Sequence, residues 1–114
     1  MNEYELNSRM LSSFPELVGA FEEYASWQNG MHTGCFLTFE DILLPFAIDA
    51  IRAKDELLLT RIGAFIEELM TSGDDYSVNV ATVGMLEGLK ASGECPAGDF
   101  LGPASLKEYN ALEY

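Results

Sequence analysis

His32 and Cys35 stand in the pattern His-x-x-Cys, and Cys95 is the only other thiol in the chain. A zinc site needs four ligands of this kind, or three and a water. Neither a Cys-x-x-Cys pair nor a second histidine accompanies them. The expectation is therefore a loop histidine and a buried thiol, with no bound metal. The same residue types could form a Cys-His nucleophilic pair. Cys35, however, has no basic neighbour in sequence to lower its pKa. No catalytic residue and no cofactor is assigned on these grounds. With the cytosol as the default compartment, both cysteines read as free thiols rather than a disulfide.

Carboxylates are the chain's dominant chemistry. Nineteen Asp and Glu face six Lys and Arg, for a formal charge of −13. The acids run from Glu3 to Glu113, with no single tail. Such a charge attracts cationic partners and repels nucleic acid and anionic membranes. Consecutive pairs occur at Glu22-Glu23, Glu40-Asp41, Asp55-Glu56, Glu67-Glu68 and Asp74-Asp75. Paired carboxylates can do acid–base work or hold a metal. On a helix, however, neighbours point about 100° apart and do not share a site. These acids read either as caps and solvated faces or, collectively, as a docking surface for Lys and Arg.

The candidate partner-binding residues fall into two clusters. One holds Glu67, Glu68, Asp74, Asp75 and Tyr76, where acids and an aromatic meet at a turn. The other holds Glu22, Glu23 and Glu40. Trp27 follows an apolar helical face and is expected in the core. The six basic residues are dispersed without a stripe, and no Gly-rich phosphate loop is present, so direct nucleic-acid binding is disfavoured.

These residues must be carried by helices. Leu6, Met10 and Leu11 outline a first helix over 3–12. Ser13 and Glu16 have capping-box spacing, with Pro15 in the first turn. Phe14, Leu17, Val18, Phe21 and Ala25 then continue one apolar face to near Gln28. Residues 28–37, with two glycines, read as a loop. Phe39, Ile42, Leu43, Phe46 and Ala50 resume helical spacing after Thr38. Pro45 either kinks this helix or divides it, and division is the expectation. Asp55 caps the clearest stripe, Leu58, Ile62, Phe65, Ile66 and Leu69, which ends at Gly73. Asp74 caps the next helix. There Tyr76, Val78 and Val80 alternate like a strand, but Val78, Ala81, Thr82, Met85, Leu86 and Leu89 hold helical spacing for longer. Residues 91–99 form a second loop. Pro103 starts a last helix, packing Leu106, Tyr109 and Leu112 or Tyr114.

The sum is an all-α compact bundle of five or six short helices, one domain over residues 1–114. An apolar fraction of 48% with seven Phe and five Tyr is far too rich for a disordered acidic chain. No apolar run reaches the ~18 residues of a membrane span, and the acidic start Met-Asn-Glu-Tyr-Glu does not read as a signal peptide. The cytoplasm is the expected location.

Asp55-Glu56-Leu57-Leu58, the run from Phe65 to Asp74, Glu87-Gly88-Leu89 and the run from Phe100 to Ser105 resemble a set of small acidic bacterial proteins. Phe14-Pro15-Glu16-Leu17 also fits. The resemblance covers about residues 36–110. That set is all-helical and includes immunity proteins of polymorphic and contact-dependent toxin systems. Its motifs are caps and turns, so it carries over no catalytic residue. It implies an intracellular antidote that binds a delivered toxin domain, often a basic nuclease. An acidic nucleic-acid mimic or adaptor, engaging a host DNA- or RNA-binding protein, is the alternative. A small enzyme or metal-binding domain built on His32 and Cys35 is a third class. The toxin's identity and the oligomeric state are not written in the sequence.

Overall fold

Helix caps divide the chain first. In the computed structural model, which describes residues 1–94 and 98–112, Asn2 accepts from the Glu5 backbone N–H, and the Glu5 carboxylate reaches back to Asn2. This capping box opens α1 (Glu3–Ser13). The expected box at Ser13 and Glu16 does not form. Ser13 ends α1, and the Glu16 carboxylate turns outward to Arg61. Pro15 starts a single 3₁₀ turn (Pro15–Leu17), which leads into α2 (Val18–Ala25). That helix stops three residues before the expected end at Gln28, and turns follow as far as a 3₁₀ turn over Gly30–His32.

The segment expected as loop up to Leu37 is helical from Cys35. Helix α3 (35–53) begins as Cys35–Thr38, widens into a π turn over Phe39–Leu43, and continues as Leu44–Ala53. Pro45 therefore does not divide it, contrary to expectation. The π turn immediately precedes the proline, and the Leu44 N–H bonds back five residues to the Phe39 carbonyl. The widened turn lets the helix run through a residue that has no N–H to donate.

Lys54, in the left-handed region at φ 54°, closes α3. Asp55 then caps α4 (Glu56–Met70) through the Leu58 N–H, as its position predicts. Gly73 takes φ 76° and Asp74 caps the next helix through the Ser77 N–H, again as expected. Helix α5 (75–92) is Asp75–Asn79, a π turn over Val80–Leu86, and Glu87–Ser92. The strand-like alternation at 76–80 is thus overridden by helix. Its second apolar face is only partly used, since Val80 is buried while Val83 is exposed. Helix α6 (Pro103–Ala111) opens at Pro103. Six helices and no strand make up the described residues.

Helices α3 and α4 form an antiparallel hairpin, with the Phe39 ring near the start of α3 lying 6.0 Å from the Phe65 ring near the end of α4. Helices α3 and α5 lie side by side in parallel. The Cys35 N–H donates to the Tyr76 hydroxyl, Phe39 packs on Gly84, and Leu44 packs on Gly88. Their two π turns thus lie at the same level. Leu6, Met10, Phe14, Phe39, Leu43, Ile62, Ile66, Leu69, Met85, Leu86 and Leu89 fill the interior. The radius of gyration, 13.1 Å, is about that of a compact domain of this length.

One carboxylate completes the bundle. Gly102 has no side chain to cap α6. Glu67, on α4, does so from across the interface, accepting from the Ala104 N–H at 3.0 Å, the Ser105 N–H at 2.9 Å and the Ser105 hydroxyl at 2.8 Å. A Cβ at position 102 would stand 2.6–2.7 Å from that carboxyl group, so the cap requires glycine there.

Candidate functional site

The first carboxylate cluster is largely absorbed by the fold. Glu67 caps α6. Burial pushes its carboxyl group up, but the hydrogen bonds from Ser105 and Ala104 outweigh that and hold it below the ordinary range. Glu68 pairs with Arg9. Asp74 caps α5, bonds the Ser77 hydroxyl and pairs with the Met1 amine at 2.8 Å. The amine first, then Ser77, hold its pKa at about 2. Tyr76 points inward, its hydroxyl accepting from the Cys35 N–H at 3.2 Å and its ring edge-on to Phe36. Burial pushes its phenol up to about 12. Asp75 alone of the five is exposed and outside any ion pair among the described residues.

His32 and Cys35 do not converge. The His32 ring is exposed, 5.3 Å from that of Tyr4. Cys35 is buried, its sulfur 3.4 Å from the Glu3 carbonyl and 3.5 Å from Asn7 Oδ1. Burial pushes the thiol up, away from the reactive thiolate. No group of three His, Cys, Asp or Glu among the described residues is placed to hold a metal. Cys95, the other cysteine expected as a free thiol, and Tyr114, a candidate for packing, lie outside the described residues.

The second cluster stays on the surface instead, and of its members Glu23 lines a groove between α2 and α3. Glu22, Glu23 and Glu40 are all exposed. Between α2 and α3 runs a groove of about 550 Å³, lined by Ala20, Ile42, Pro45 and Phe46 together with Glu23, Asp41 and Asp49. Glu40 stands next to Asp41, and Glu22 faces a separate groove beside Leu11 and Met31. The Tyr24 hydroxyl donates to Asp41 Oδ2 at 2.7 Å. That bond first, then burial and the charges of Asp41 and Glu40, push the phenol up to about 12. None of Glu22, Glu23, Glu40, Asp41 and Asp49 joins an ion pair among the described residues.

Trp27 borders the same groove and is 86% exposed. The core placement expected for it is wrong. Helix α2 ends at Ala25, so Trp27 sits in the turn beyond the apolar face that ended there. Asp41, Asp49, Tyr24 and Trp27 are thus the groove residues that the sequence did not nominate. An orphan tryptophan after a helix stop, within reach of paired acids, was the available signal.

A protein-family model matches residues 7–114. The chain belongs to the DUF7674 family, a domain of unknown function. The DUF7674 match starts within α1 and takes in α2 to α6, so both the groove and the Glu67 cap lie inside the family domain. No curated protein and no solved structure matches the chain.

Proposed function

We infer that the chain is a non-enzymatic immunity protein of the cytoplasm. It binds a cationic toxin domain, in the first place a nuclease, and neutralises it by covering its active site or substrate groove. The observation that carries this reading is the α2–α3 face, where carboxylates outside any ion pair surround an exposed tryptophan. Elsewhere, Arg9, Arg52 and Arg61 are matched to Glu68, Glu94 and Glu16. On the α2–α3 face, carboxylates outside any ion pair thus coincide with an exposed aromatic anchor. Aromatic anchors ringed by polar groups are the usual energetic centres of protein interfaces. A nuclease presents the complementary surface, because it must hold phosphates with Lys and Arg. The resemblance to immunity proteins supports the same reading by analogy.

The test is co-expression with the polypeptide encoded directly upstream. The expected result is a stoichiometric complex and rescue of growth from that polypeptide's toxicity. Changing Glu22, Glu23 and Glu40 together to Gln should weaken the complex, and added salt should slow its association. A harmless upstream product that does not co-purify would refute the antidote reading. The acidic adaptor would then be the class to pursue.

A further inference from the structure

The geometry points to the α2–α3 groove as a receptor for an arginine side chain of the partner, its guanidinium laid on Trp27 and bonded to Asp41, with Glu23 and Asp49 as further negative charges on the groove walls. This rests on the reading that the partner is a basic protein, and it names the chemistry of contact.

The groove has two kinds of wall. Ala20, Ile42, Pro45 and Phe46 make an apolar floor, while three carboxylates stand on its sides. An apolar ligand would leave those charges facing it without partners, and a nucleic acid would be repelled. A metal ion has no cluster of three ligands here among the described residues. A cation on an apolar stem suits both walls.

Arginine suits them better than lysine. The guanidinium is planar and weakly hydrated, stacks on aromatic faces and forks onto carboxylates. Trp27 offers such a face with 86% of its surface open. Tyr24 fixes Asp41 by donating to one of its oxygens at 2.7 Å. The other oxygen is left for a donor from outside. The ammonium of lysine keeps its water more strongly and has no plane to lay on the indole.

Trp27 is the chain's single tryptophan, so its emission reports the groove directly. The probes are two capped octapeptides, alternating glycine with arginine or glycine with lysine. The arginine peptide should shift Trp27 emission saturably and bind at least about threefold tighter than the lysine peptide, by calorimetry on the same samples. Combined Glu23→Gln, Asp41→Asn and Asp49→Asn should weaken it at least about tenfold. Combined Glu56→Gln, Asp99→Asn and Glu108→Gln, the same change in net charge elsewhere on the surface, should leave it within about twofold. Circular dichroism verifies that both variants are folded.

Equal losses in the two variants, equal affinity for both peptides, or calorimetric binding with no change in emission each overturn the arginine groove. So does the absence of peptide binding. The basic-partner reading stands or falls separately, on the co-expression test. A captured toxin with a failed groove sinks only the arginine assignment.

Discussion

Two side chains change role once the helices are in place. Glu67 belongs by type and position to a docking cluster, yet its carboxylate caps a helix that starts 36 positions along the chain. Nothing local in the sequence announces a cap supplied across an interface. By contrast, Asp55 and Asp74 cap the helices that directly follow them, and these were legible because donor and acceptor lie three residues apart. Glu67→Ala should therefore lower stability by about 1–2 kcal/mol, the usual loss of a cap with charged hydrogen bonds, read as a lower urea midpoint at unchanged slope. Trp27 changes role in the other direction. Trp27→Ala should stay within about 0.5 kcal/mol of the parent, whereas a tryptophan in the core would cost about 3–5 kcal/mol. Chemical denaturation followed by circular dichroism distinguishes the two.

At the level of elements, apolar stripes and turn residues located every helix, but the π turns were not legible. Phe39, Ile42, Leu43, Phe46 and Ala50 satisfy ordinary helical spacing. A stripe of that kind does not show that one turn has been widened to accommodate Pro45. Leu44 and Ala47 are also in the core, although the stripe did not include them. The first-loop boundary was missed for a related reason. Gly34 reads as part of a loop, whereas the chain enters α3 at the next residue. Close helix contacts supply a paired test. A Cβ at Gly63 would collide with the backbone carbonyl of Phe100, while one at Gly19 meets nothing within 4 Å. Gly63→Ala should thus destabilise by about 1–3 kcal/mol through overpacking. Gly19→Ala, in α2, should stabilise by about 0.5–1 kcal/mol through helix propensity. Thermal melts of the two variants should move in opposite directions.

For the molecule as a whole, charge sets two opposed dependences. At neutral pH, 19 acids against 6 bases repel one another, and unfolding relieves that repulsion. Added sodium chloride should accordingly raise the denaturation midpoint at pH 7 by screening. Acid acts on particular groups as well. The Arg61 hydrogen bond above all holds Glu16 at about 2, and Asp74 is also held at about 2. Their folded pKa values lie below the ordinary carboxylate range near 4. Their contribution is complete above that range and disappears as pH falls towards about 2. The midpoint should drop between pH 5 and pH 2, and less steeply in Glu16→Gln, which no longer carries one of the linked protons. A profile flat over that interval would refute the assignment.

The neighbouring π turns of α3 and α5 bear on how this chain can change in length. A widened turn is, in effect, one residue more than an ordinary helix holds. Losing a residue from Phe39–Leu43 would restore regular winding and swing the start of α3 by about 100°. That rotation would pull Cys35 away from Tyr76 and the Thr38 hydroxyl away from Asn7, to which it donates at 2.7 Å. Met31 and Thr33 are held by the buried Asn7 amide, whereas the exposed turn over residues 26–29 can absorb an insertion or deletion with far less disruption. Among relatives of this domain, gaps should collect there and spare the two wide turns, which then behave as fixed spacers in an otherwise adjustable chain.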